Sequence, residues 1–183
     1  MPRALLALLI AFAVSASAGH AVEQPKEMVL LTVGGNINTI NRGPFDAEKD
    51  TMFARLDIGF DRAFAFDRPL LMRLKQGTVT AVTSELGKAA TFTGPLLKEM
   101  LAAVGAARAK VSFIAINKYE AYLEPEDIEA SDWILALEAD GAPLGLGRQG
   151  PIWLINTRAP GDEPNQSHRG HWVWGVFFMR VGE

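Results

Sequence analysis

After residue 21, the apolar residues of this 183-residue chain come in short runs, most of them punctuated by glycine or proline. Runs of that kind cannot build a bundle of long helices. They suit short strands joined by tight turns, with a few helices where the apolar spacing lengthens from two to three or four. The core must therefore be assembled from many small elements. No cysteine is present, so no disulfide can staple them together. A chain of this length can bury enough apolar surface to do without one. The same absence excludes thiolate catalysis, iron–sulfur ligation and cysteine zinc sites.

The first 21 residues have a different character. Arg3 supplies a positive charge, Ala4 to Val14 is continuously apolar, and Ala16-Ser17-Ala18 and Gly19-His20-Ala21 offer small residues where a signal peptidase reads. This is the pattern of a secretory signal cleaved after Ala18 or Ala21. The apolar run is too short to cross a hydrocarbon core of about 30 Å as a helix. No twin-arginine pair precedes it, which predicts export as an unfolded chain. The expected product is one soluble domain, residues 22–183, periplasmic or secreted and not membrane-embedded. Losing the leader removes only Arg3 from the charge count, leaving 17 Lys+Arg against 21 Asp+Glu. A mildly acidic chain without a basic run is not expected to bind nucleic acid or an anionic membrane surface.

The punctuation predicts the elements. Met28 to Val33 reads as a first strand turned by Gly34-Gly35, and Asn36 to Asp50 as loop. Asp61 to Phe66 alternates like a strand. Asp67-Arg68-Pro69 then starts a helix with Leu70, Leu71 and Leu74 on its buried face and Gly77 at its end. Thr78 to Thr83 and Ala89 to Thr93 read as strands. Gly94-Pro95 opens the clearest helix, whose stripe is Leu96, Leu97, Met100, Leu101 and Val104, closed by Gly105. Val111 to Ile116 is a central strand, Glu124-Pro125-Glu126-Asp127 a helix start, and Ala139-Asp140-Gly141-Ala142 a hairpin turn. Ile152 to Asn156 is another strand, Arg158 to Gly170 a polar loop, and His171 to Val181 one long closing strand with Trp172 and Trp174 on one face. The reading is a single α+β domain of mixed β-sheets with a few short helices.

Few residues carry obvious chemistry. His168 and His171 stand three apart beside a loop, without further ligands near in sequence, and read as solvated loop histidines. Gly145, Gly147 and Gly150 precede no helix and read as turn glycines rather than a phosphate cradle. Glu120, Glu124, Glu126, Asp127 and Glu129 read as the solvated face of a helix start.

Five segments in order resemble the sulfite-oxidase-like molybdopterin-binding domains. They are Thr91-Phe92-Thr93-Gly94-Pro95-Leu96-Leu97 with its helix to Val104-Gly105-Ala106, Ala115-Ile116-Asn117-Lys118-Tyr119, and Trp133-Ile134-Leu135-Ala136 with Asp140-Gly141-Ala142-Pro143-Leu144. Arg148-Gln149-Gly150-Pro151-Ile152-Trp153 and Trp172-Val173-Trp174 complete the set. The resemblance spans about Met28 to Val181 and implies the sulfite-oxidase-type fold. In catalytic members of that family a cysteine thiolate ligates molybdenum, and the equivalent position here falls near Thr83. A hydroxyl is a hard, weakly acidic donor and does not replace a soft thiolate.

The resemblance also places the motif segments around a cofactor cleft, which makes Asn117, Tyr119, Arg148, Trp153 and Thr83 the candidate cofactor-binding residues. Asn117 can hydrogen-bond a heterocycle edge or cap a turn. Tyr119 and Trp153 can line a pocket or fill the core. Arg148 can clamp an anion or sit solvated on a loop. The expectation is a non-catalytic module with no bound cofactor and no metal, recognising a small-molecule ligand or a periplasmic or membrane signalling protein. The alternatives are a molybdopterin-dependent oxidoreductase with atypical metal ligation, which requires a deep cleft lined by Thr83, Asn117 and Arg148, and an accessory protein acting through its surface.

Overall fold

A computed structural model describes residues 22–82, 87–156 and 172–182. The leader, Thr83, the whole polar loop at 158–170 with His168, and His171 lie outside the described residues.

The main layer is a five-stranded sheet in the order β2-β1-β12-β5-β6. Its strands are β1 (Val29–Gly35), β2 (Ala63–Asp67), β5 (Val111–Ala115), β6 (Glu120–Leu123) and β12 (Val176–Val181). β12 inserts between β1, which it meets in parallel, and β5, which it meets antiparallel. Its central position agrees with its apolar sequence, since such a strand is covered on both faces.

The inner face of this sheet contributes Leu31, Val33, Phe64, Phe66, Phe113 and Met179 to the largest core cluster. Two helices pack there, α2 (Arg68–Arg73) and α3 (Leu97–Ala103). The α3 stripe is as expected, with Leu97, Met100 and Val104 fully buried and Gly105 turning the chain at φ 61°. Asp67 caps α2 by accepting the Leu70 N–H at 2.9 Å. The outer face is partly covered by the segment that carries α1 (Thr51–Arg55). Phe53 and Phe60 pack there on Phe178, at centroid separations of 5.6 and 5.8 Å.

Two smaller sheets accompany the main one. One orders β11 (Val173–Trp174), β10 (Trp153–Asn156) and β7 (Trp133–Ala136), and the other orders β3 (Gln76–Val82), β4 (Ala89–Pro95), β8 (Glu138–Ala139) and β9 (Ala142–Pro143). The chain changes sheet at Leu137, whose N–H donates to Thr93 O at 2.8 Å. The expected hairpin turn is present, with Asp140 and Gly141 at φ 48° and 76°. Short α4 (Pro125–Ala130) starts with a capping box between Glu124 and Asp127. Its outer acids are used, because Arg108 bridges Glu126 and Glu129 at 2.7 Å each.

Four expectations need correction. Gly94 and Pro95 do not open α3 but end β4, because a Cβ at Gly94 would stand 2.1 Å from Leu135 O. The glycine serves a close backbone approach to β7. Gly77 does not end α2, which stops at Arg73, and lies within β3. The closing strand is two strands, broken at Gly175 (φ 69°), which lets β11 and β12 join different sheets. Trp172 is consequently half-buried beside Trp153 while Trp174 is exposed. Finally, β6 lies within the acidic run, and α1 follows directly on the 36–50 segment in a stretch assigned no element, because both are too short to leave a periodic signal.

Candidate functional site

Among the described residues ten large hydrophobic side chains are exposed, and Met28, Val29, Met52, Ile116 and Leu146 are five of them. These five converge. Together with Leu30, Phe53, Leu144, Pro151 and Phe177 they line one cleft of about 680 Å³. That volume lies in the range of small-molecule sites. Met28 and Leu146, exposed by 73% and 69%, are the most open of these side chains. Exposed apolar surface collected in one concavity marks a place where something binds.

Four parts of the chain meet to form it. The start of β1 supplies Met28, Val29 and Leu30, and α1 supplies Met52 and Phe53. Ile116 follows β5, and the segment 144–151 supplies Leu144, Leu146 and Pro151. Gly175 holds two of these parts together. Its N–H donates to Gln149 O at 3.0 Å, and its carbonyl accepts the Ile116 N–H at 3.0 Å. Phe53 and Phe177 stack at 5.5 Å in the wall.

The two arginines at this cleft are already paired. Arg42 donates from Nη2 to both oxygens of Asp50, at 2.8 and 2.7 Å, and its guanidinium lies 4.7 Å from the Phe60 ring centroid. Arg68 donates to Glu138. Partly buried pairs of this kind hold the guanidiniums in place and leave little field for an anion. The remaining charged lining residue is Glu27. Its backbone N–H, with that of Lys26, is fixed on the Asp67 carboxylate at 3.0 and 2.6 Å. Burial alone would raise the Asp67 carboxyl, but N–H donors from Leu70, Lys26 and Glu27 hold it below its ordinary value. Asp67 thereby ties the N-terminal segment to the start of α2.

The residues singled out from sequence occupy separate environments. Asn117 is exposed in the turn between β5 and β6, where its Oδ1 accepts the Tyr119 N–H at 3.0 Å. Tyr119 is half-buried against the main core, and burial raises its phenol. Arg148 is exposed on the 144–151 segment. Trp153 is 2% exposed in the second core cluster, edge-on to Phe92 at 5.0 Å, and its Nε1 has no partner among the described residues. Thr83 lies outside the described residues. The cleft is lined by none of the other four, but by their neighbours Ile116, Leu146 and Pro151. The residues named from sequence adjoin the cleft in sequence without lining it. Leu146, an apolar residue set between Gly145 and Gly147, is a signal that could have been read. Among the described residues no group of three His, Asp or Glu is placed to hold a metal ion. No described helix is long and apolar enough to cross a membrane.

No family model matches this chain, and no curated protein matches it. Among solved structures, the sulfane dehydrogenase SoxCD from Paracoccus pantotrophus is similar, with a TM-score of 0.56 and 16% sequence identity. The likeness covers 88% of this chain and 40% of that one, so this chain spans less than half of its neighbour's length. At such identity the likeness speaks to the fold. It shows a fold shared with part of that enzyme, in keeping with mixed sheets and few short helices.

Proposed function

We propose that this chain is an exported, non-catalytic binding module of the sulfite-oxidase-like fold, whose apolar cleft takes a small, uncharged, apolar molecule. The convergence of Met28, Val29, Met52, Ile116 and Leu146 on one cleft carries the reading. Charge narrows the ligand class. With Arg42 and Arg68 committed to Asp50 and Glu138, an anionic ligand would have to break an ion pair before gaining one. An apolar ligand gains about 25 cal/mol for each Å² it removes from water and disturbs neither pair.

The fold likeness favours a second reading, a molybdopterin enzyme. The donor set does not fit it. The chain has no thiolate to offer a metal, and the two arginines of the apolar cleft are already paired. Arg148 is solvated and Asn117 closes its own turn. No chemical step is derived through that cofactor.

The test is fluorescence titration with an uncharged naphthylamine probe. Wild type should enhance its emission saturably, and Ile116→Asp and Leu146→Asp should each weaken binding by about tenfold or more, because a carboxylate in the wall must be desolvated. Equal titrations for wild type and both folded variants would refute the cleft as the site.

A further inference from the structure

Among the described sheet edges, β2, β6 and β9 are protected and β3 is not. On the outer side of β2, the Asn41 amide acts as a substitute strand. Its Nδ2 donates to Ala65 O at 2.9 Å and its Oδ1 accepts the Ala65 N–H at 2.6 Å. The opposite edge of that sheet, β6, has four residues and carries Glu120. The edge strand β9 has two residues, one of them Pro143. Shortness, charge and proline are the usual means of blunting an edge.

β3 has none of them. It runs for seven residues, Gln76 to Val82, without charge, proline or bulge, and pairs in unbroken register with β4 alone. Among the described residues no backbone group bonds to its outer side. Thr78, Thr80 and Val82 face solvent, while Val79 and Ala81 pack into the second core cluster. A long, uncharged edge in unbroken register is a template for another strand.

The sequence of β3 selects its partner. Around Val79, Thr78 mirrors Thr80 and the small Gly77 mirrors the small Ala81. We propose that β3 pairs antiparallel with β3 of a second copy about a two-fold axis near Val79, joining two four-stranded sheets into one. Thr78 then faces the partner's Thr80, extending the threonine rows already made with β4, where Thr80 and Thr91 hydroxyls meet at 3.2 Å. No charge on either strand opposes the contact, although the exported chain is net negative. An isologous contact of this type closes as a dimer. It is independent of the apolar cleft, so either can fail without the other.

Sedimentation equilibrium of the exported protein tests the proposal. Wild type should show a monomer–dimer equilibrium. Thr78→Lys with Thr80→Lys places like charges opposite each other across the axis and should weaken the dimer by about tenfold or more. The Thr78→Glu with Thr80→Glu pair should do the same, and a mixture of the two variants should restore a heterodimer. A wild type that stays monomeric up to about 1 mM, or folded lysine variants that dimerise as well as wild type, would overturn it. Should both variants misfold, amide exchange on wild type decides, since β3 must gain protection as concentration rises and unchanged protection refutes the contact.

Discussion

The Lys26 backbone N–H donates to Asp67 Oδ2 at 2.6 Å across 41 residues of sequence. The other carboxylate oxygen caps α2 through Leu70. One buried side chain thus fixes both the entry to β1, where Met28 and Val29 wall the apolar cleft, and the helix that carries Arg68 into the same cleft. Asp67→Ala strands three backbone donors at once. It should cost about 2 kcal/mol of stability, the scale of a lost cap with unsatisfied buried groups. Urea denaturation measures this cost, and apolar-probe binding should weaken in the same variant. A variant as stable as wild type would show that the three donors find water at no cost.

The same carboxylate predicts acid sensitivity. Its carboxyl is held below the ordinary value of 3.8, so the folded chain binds the proton less readily than the unfolded chain. The resulting stabilisation is complete above the unfolded value and is lost as pH falls below about 4 and through the depressed folded value. The urea midpoint of wild type should therefore drop in that acid window, and that of Asp67→Asn, which has no proton to gain, should drop less. Parallel curves would place the acid-sensitive group elsewhere.

Gly94 yields a prediction about the motif rather than the cleft. A Cβ there would stand 2.1 Å from Leu135 O and 2.7 Å from the Ala136 Cα, both backbone atoms that cannot swing aside. Gly94→Ala must separate β4 from β7 and should destabilise by about 3 kcal/mol or more, the upper range for overpacking. Thermal unfolding checks it. Gly141→Ala is a useful contrast, since nothing lies within 4 Å there and only its φ of 76° is strained.

Much of the fold was legible because short elements with strong punctuation announce themselves. Asp67 before Arg68-Pro69 marked the start of α2, and Asp140-Gly141 marked a turn that only residues tolerant of positive φ make readily. The break at Gly175 was not legible. A single glycine inside an apolar run reads as tolerated until tertiary structure assigns the two halves to different sheets. The candidate site was legible only by segment. Periodicity separates apolar from polar faces, but Ile116 beside buried Ala115 looks like any other apolar residue, and only the two glycines around Leu146 set that one apart. Their exposure is a property of the assembled surface. Asn117 attracted attention as a polar residue in a family-like motif, and its side chain is satisfied by its own turn.

Metal and pterin content separates the two functional readings. A thiolate supports a redox-cycling metal because soft sulfur shares electron density with it, and this chain has no cysteine at any position, including the one near Thr83. A substitute oxygen ligand would need further donors to hold the metal, and the described residues group no three His, Asp or Glu for that purpose. Elemental analysis and oxidised-pterin fluorescence of protein exported by a molybdenum-replete host should therefore find neither in stoichiometric amount. Near-stoichiometric molybdenum with pterin would sink the binding-module reading while leaving the fold intact. It would also move the site away from the apolar cleft, whose arginines face Asp50 and Glu138 rather than a phosphate. The probe titration stands apart from that result, because a chain can lack molybdenum and still bind nothing at Ile116 and Leu146.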